Sequence, residues 1–167
     1  MKTTEVEQRS RVHLLAINAL VAALYLALFL VAPSSGAIQF RISESLNHLV
    51  VFNKRLRWGV MIGVILANFM FGLGILDVLF GGGQTILALT ITAFLSKFIK
   101  NKKWLLFWNS IIFVATMFLI AILLVITAQL PFWATYGTLA LSEAIIMALS
   151  APVMYWIDKK LHFATWL

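Results

Sequence analysis

Acidic side chains stand at three places inside apolar sequence: Glu44, Asp77 and Glu143. Glu44 follows Arg41 at a spacing of three, and Arg41 is the one basic residue set apart from the clusters of Lys and Arg. On a helix that spacing puts both side chains on one face, where they can pair. Charge is costly in surroundings this apolar, so it turns to an interior or a wet cavity and marks a site or a buried pair. The stretch Gln39-Phe40-Arg41-Ile42-Ser43-Glu44-Ser45 therefore reads as the floor of a polar pocket for a small, flat, polar solute, with Arg41 holding Glu44 ionised. The plainer alternative is a structural ion pair at a helix start, capped by Ser43. Asp77 lies in Gly72-Leu73-Gly74-Ile75-Leu76-Asp77-Val78-Leu79-Phe80-Gly81-Gly82-Gly83, whose neighbours are too apolar for an ordinary solvated loop. The glycines suit tight turns, but no Gly-Lys-Ser/Thr follows, so this is not a phosphate loop. Glu143 falls about two turns into an apolar helix and should face the bundle interior. Gln84 is a further polar candidate, and Asn68 reads as a helix–helix hydrogen bond. Phe40, Trp133 and Tyr136 fit an interfacial aromatic belt, or rings that stack a flat heterocycle.

None of this is a catalytic constellation. There is no Ser-His-Asp set and no His-Glu-x-x-His, and His13, His48 and His162 lack metal-ligand spacing. With no Cys there is no thiolate site or nucleophile. No catalytic residue, metal or cofactor is expected.

The elements that must position these residues are set by composition. The chain has 167 residues, 62% hydrophobic and 11% charged, with mean hydropathy +0.98. Soluble domains are usually about 45–50% apolar and roughly 25% charged. Lipid must therefore cover part of this surface, and an all-α integral membrane bundle, forming a single domain over 1–167, is expected. Six helices are read at 13–32, 42–53, 58–76, 84–99, 104–127 and 137–157. The second is too short to cross upright and is expected to be short or re-entrant. Loops are expected over 77–83, with its three glycines, and over 129–136, with Pro131.

Every Lys and Arg except Arg41 falls before the first helix, between the second and third, from the end of the fourth to the start of the fifth, or after the sixth. Basic residues at alternate connections place both termini in the cytoplasm. The net charge of +7 is thus assigned to membrane flanks, with no nucleic-acid partner expected. Ala19, Ala23 and Ala27 repeat every four residues along the first helix, with Ala16 nearby. Such a stripe lets another helix approach closely, either within the bundle or in a separate protein.

A six-helix membrane chain of this size, with an alanine stripe on its first helix and a polar stretch after it, resembles the S-components of energy-coupling factor (ECF) transporters. The segments Gln39-Phe40-Arg41-Ile42-Ser43-Glu44-Ser45-Leu46 and Gly74-Ile75-Leu76-Asp77-Val78-Leu79-Phe80-Gly81 resemble the QueT family more narrowly. The resemblance implies a bacterial plasma-membrane protein that captures queuosine precursors, 7-substituted 7-deazaguanines such as the aminomethyl form or the nitrile. It implies delivery by toppling in the membrane within a complex of one T subunit and two ATPase subunits. It also implies that Ala19, Ala23 and Ala27 dock the T subunit. A deazaguanine edge offers adjacent N–H donors to a carboxylate. Glu44, Asp77 and Glu143 are three candidates, and the cation of an aminomethyl ligand would occupy a second of them. Arg41, or the amide of Gln39, would serve the carbonyl oxygen, and Phe40, Trp133 or Tyr136 would stack the ring. The sequence contains no Walker motif, so energy from ATP would come from partner chains. The alternatives are an S-component for another small vitamin or nucleobase, or a membrane scaffold without transport activity.

Overall fold

The computed structural model describes residues 2–31, 41–72 and 74–166, with side chains from Arg11 onward. These residues form six helices and no strand. Helix α1 covers Lys2–Val31. Helix α2 is short, 3-10 over Ile42–His48 and α over Leu49–Phe52. A 3-10 turn, Lys54–Leu56, leads into α3, Arg57–Phe71. Helix α4, Ile75–Leu95, contains a π-turn at Val78–Gly82. Helix α5, Lys102–Ala128, breaks at Met117 into Lys102–Thr116 and Phe118–Ala128. Helix α6, Phe132–Leu161, carries Pro152 inside it and is followed by a 3-10 turn at Phe163–Thr165. Four segments, Arg11–Val31 of α1 and the whole of α4, α5 and α6, are long and apolar enough to cross a membrane. This is a multi-pass membrane protein.

The Gly-rich segment 77–83, expected as a loop, is the start of α4. In an apolar medium every backbone N–H and C=O needs an internal partner, which favours coiling even through three successive glycines. The coil widens there into a π-turn, a feature often found at functional sites. Helix α3 stops at Phe71, short of the expected residue 76, because the chain turns at Gly72 and Gly74. Gly74 has φ of 85°, a left-handed conformation that suits glycine. Helix α6 starts at Phe132, within the expected loop 129–136, directly after Pro131. A proline here costs no hydrogen bond, since the first N–H groups of a helix have no intrahelical partner.

Helices α1 and α3 pack at very short range. A Cβ at Gly63 would lie 2.6 Å from Cβ of Tyr25, and one at Gly59 would lie 2.6 Å from the Asn18 carbonyl oxygen. Small residues at that seam permit the approach. It is fixed by a hydrogen bond, 2.6 Å, from the Gly59 N–H to Oδ1 of Asn18. Helix α2 lies inside the bundle, with Leu46 to Phe52 all buried. The basic end is tied by Lys102 Nζ to Asp158 Oδ2 at 2.7 Å and by Asn53 Nδ2 donating to the Phe163 carbonyl at 3.0 Å.

Candidate functional site

Helix α2 brings its polar residues into the core as a group. Ser43, Glu44, Asn47 and His48 are all buried. Glu44 accepts from the Tyr25 hydroxyl on Oε1 at 3.1 Å and from Asn47 Nδ2 on Oε2. Arg41 Nη1 stands 4.0 Å from Glu44 Oε1, and its guanidinium lies 5.9 Å from the Phe29 ring centroid. The expected pairing of Arg41 and Glu44 is therefore present, with Tyr25 of α1 completing it.

Beside this pair is a small hollow lined by Arg41, Gln84, Met117, Ile120, Leu139 and Glu143. Four elements meet there: the start of α2, α4 just beyond its π-turn, α5 at its break, and α6. Glu143 is buried, and its Oε1 has no hydrogen-bond partner among the described residues. Gln84 donates to Thr116 Oγ1 at 2.9 Å and accepts from Thr85 Oγ1 at 3.1 Å, which fixes its amide. The volume is about 10 Å³, room for one water. A flat heterocycle enters only if the apolar walls move. Met117 is suited to that, being an unbranched side chain at a helix break.

The other sequence candidates are placed as follows. Asp77 is buried but lines a different contact: its Oδ2 lies 2.0 Å from where a Cβ on Gly72 would be, and its carbonyl accepts from Asn68 Nδ2 at 3.2 Å. It secures the α3–α4 turn and is not among the residues of the hollow. Asn68 thus joins two helices, the role its position suggests. Tyr136 stands one layer outside the hollow, packed on the Met117, Ile120 and Leu139 cluster, with its hydroxyl donating to the Ala115 carbonyl at 3.4 Å. Trp133 is 79% exposed and points out of the bundle, as an interfacial belt residue does. Gln39 and Phe40 lie outside the described residues.

Sequence reasoning missed Tyr25 and Asn47, and it missed a second polar chain beneath the site. His48 Nε2–H donates to the Met147 carbonyl at 3.1 Å, which leaves Nδ1 to accept from Asn109 Nδ2 at 3.0 Å. Asn109 Oδ1 accepts in turn from Thr92 Oγ1 at 2.8 Å. This chain joins α2, α4, α5 and α6 and satisfies both ring nitrogens, so His48 is structural. The rule that flagged Glu143, a polar residue in an apolar run, would also have found Asn109.

The arrangement can accept hydrogen bonds from a donor-rich ligand edge at Glu143 and offers a cation at Arg41, within apolar walls. Small-molecule sites are generally of this kind, mostly apolar with a few placed polar groups. A family model described as "QueT transporter" matches residues 15–159. The chain is 34% identical to the "Queuosine precursor transporter QueT" of Lactococcus lactis subsp. cremoris (strain MG1363), over 94% of this chain and 99% of that protein. No solved structure matches the chain. Since the family model spans most of the sequence and the relative aligns along nearly all of both proteins, the chain belongs to the QueT transporter family.

Proposed function

We propose that this chain is the membrane-embedded capture subunit of an ECF-type importer whose cargo is a queuosine precursor, a 7-deazaguanine in its aminomethyl or nitrile form. The observation that carries the reading is the buried Glu143, with one oxygen unpartnered among the described residues, facing a hollow shared with Arg41 and Gln84. The ring N–H and exocyclic amine of a deazaguanine form a donor pair that one carboxylate can accept. Arg41 or Gln84 then serves the carbonyl oxygen. Glu44 positions Arg41 from behind, its own oxygens taken by Tyr25 and Asn47. The relative's name supports a cargo of this class.

Transport follows from a closed hollow that opens at Met117, admits the base and shuts over it. Partner subunits, one T subunit and two ATPases, supply the energy. The exposed Ala16, Ala19, Ala23 and Ala27 of α1 give the T subunit a smooth surface. Both termini lie in the cytoplasm, where the basic ends belong.

Calorimetric titration of the purified protein with 7-aminomethyl-7-deazaguanine, the nitrile, guanine and riboflavin tests this. Saturable binding of the deazaguanines, with none of riboflavin, is expected. Folded protein that binds no nucleobase analogue would exclude the reading.

A further inference from the structure

A larger concavity, about 490 Å³, runs between α5 and α6, apart from the hollow at Glu143. Its size falls in the range of small-molecule pockets, roughly 300–1,000 Å³. It exists because α6 presents Ala144, Ala148 and Ala151 where α5 presents Phe107, Ile111 and Val114, and the alanines leave the space between the helices unfilled. Ser110 also lines it, but its hydroxyl is spent on the Leu106 carbonyl at 3.0 Å. The walls contain no carboxylate or amide, so nothing there would read a deazaguanine. Phe107, Ile111 and Ala148 are exposed, so the groove opens sideways into the hydrocarbon.

One end of the groove is different. Tyr155 and Lys103 close it, and two ammonium groups converge on the Tyr155 ring: Lys103 Nζ at 5.7 Å and Lys159 Nζ at 5.1 Å from its centroid. Neither has a carboxylate partner among the described residues, whereas neighbouring Lys102 is neutralised by Asp158. Two like charges beside one ring, at the mouth of an apolar groove and at the membrane's basic face, call for an anion with a hydrocarbon tail.

We propose that this groove binds an anionic phospholipid of the basic-face leaflet, one acyl chain lying between α5 and α6 and the phosphate held by Lys103 and Lys159. Basic pockets between membrane helices recognise anionic headgroups in this way. The groove ends at Ala144, next to Glu143, so the bound chain braces the helix that carries that carboxylate.

The test is native mass spectrometry of delipidated protein titrated with phosphatidylglycerol, with phosphatidylcholine of the same chains, and with inorganic phosphate alone. Preferential retention of phosphatidylglycerol is expected. Lys103→Gln with Lys159→Gln should lower that retention about fivefold per lysine and leave phosphatidylcholine unchanged. Ala148→Phe should fill the groove and lower retention of both lipids. Both lysines are exposed, so their double variant keeps the test decisive even if Ala148→Phe does not fold. Equal retention of the two lipids, retention unaltered in the lysine variant, or capture of phosphate as strong as that of lipid would each overturn the proposal. So would cross-linking of Phe107→Cys to a second copy or to a partner helix that displaces the lipid. Deazaguanine binding should persist in the lysine variant, which separates this result from the reading of the Glu143 site.

Discussion

Glu44 and Glu143 are both buried acids, but their oxygens meet different company. Those of Glu44 are engaged by Tyr25, Asn47 and Arg41, whereas Glu143 keeps Oε1 without a partner among the described residues. An engaged carboxylate holds structure, and an unengaged one has its hydrogen-bonding capacity left for a ligand. Glu143→Gln should therefore weaken deazaguanine binding about 10- to 150-fold, the value of ~1.5–3 kcal/mol for a hydrogen bond to a charged group. Its thermal midpoint should hold or rise, because Oε1 has no hydrogen-bond partner among the described residues to lose. Glu44→Gln should instead lower the midpoint, by about 1–3 kcal/mol of stability, because it unsettles Tyr25 and Arg41. Calorimetry and thermal melts on the two variants check the contrast, and equal effects on binding and stability would refute it. At this scale hydropathy was a good guide to which residues turn inward. It marked Arg41, Glu44, Gln84 and Glu143, all at or beside the hollow. It could not tell that Asp77, equally buried, turns to Gly72 instead, because polarity reports the cost of exposure and says nothing of the neighbour. Tyr25 escaped notice because a tyrosine within a span reads as apolar until its hydroxyl has a known partner.

The site depends on where the elements touch. Tyr25 reaches Glu44 because α1 lies close against α3 at Gly59 and Gly63. Gly63→Ala would place a methyl 2.6 Å from Cβ of Tyr25, a distance that forces the helices apart. Overpacking of this kind costs about 1–3 kcal/mol. The expected outcome is a lower melting temperature together with weaker deazaguanine binding, since Tyr25 moves away from Glu44. A Gly63→Ala protein with unchanged melting and binding would show that the seam is looser than its geometry. Helix α4 makes the complementary point. Gly81-Gly82-Gly83 signals a loop by composition, yet in an apolar medium the unmet cost of free backbone groups outweighs glycine's weak helix propensity. The resulting π-turn comes just before Gln84. The helices with long apolar runs were legible from the sequence. The ends of α3, α4 and α6 were not, because they depend on tertiary partners such as the Asn68–Asp77 contact. The break at Met117 has no composition signal at all.

Across the molecule, the two ends of the bundle and its outer faces divide the work. Apart from Arg41, the lysines and arginines gather at one end, and the exposed Trp133 and Gln129 lie at the other. If the basic end is cytoplasmic, Gln129→Cys should react with a membrane-impermeant maleimide applied to whole cells, and Asn101→Cys should react only after the membrane is opened. The reverse labelling would invert the proposed orientation. On the outer faces, α1 has divided its small residues between two uses. Ala22 is buried with Asn18, Val21 and Tyr25 on the α3 side, while Ala16, Ala19, Ala23 and Ala27 stay exposed. The sequence left open whether the stripe packs inside the bundle, since spacing alone does not say which face meets α3. With the α3 side occupied by larger residues, the stripe remains as a smooth outer surface. A leucine there cannot disturb the α1–α3 seam, but it would hold a docking helix away from the α1 backbone. Ala23→Leu should therefore leave deazaguanine binding and thermal midpoint unchanged while abolishing co-purification with the proposed T subunit and ATPases. Co-purification at normal yield would place the docking surface elsewhere, whereas lost ligand binding would mean that the stripe packs within the bundle.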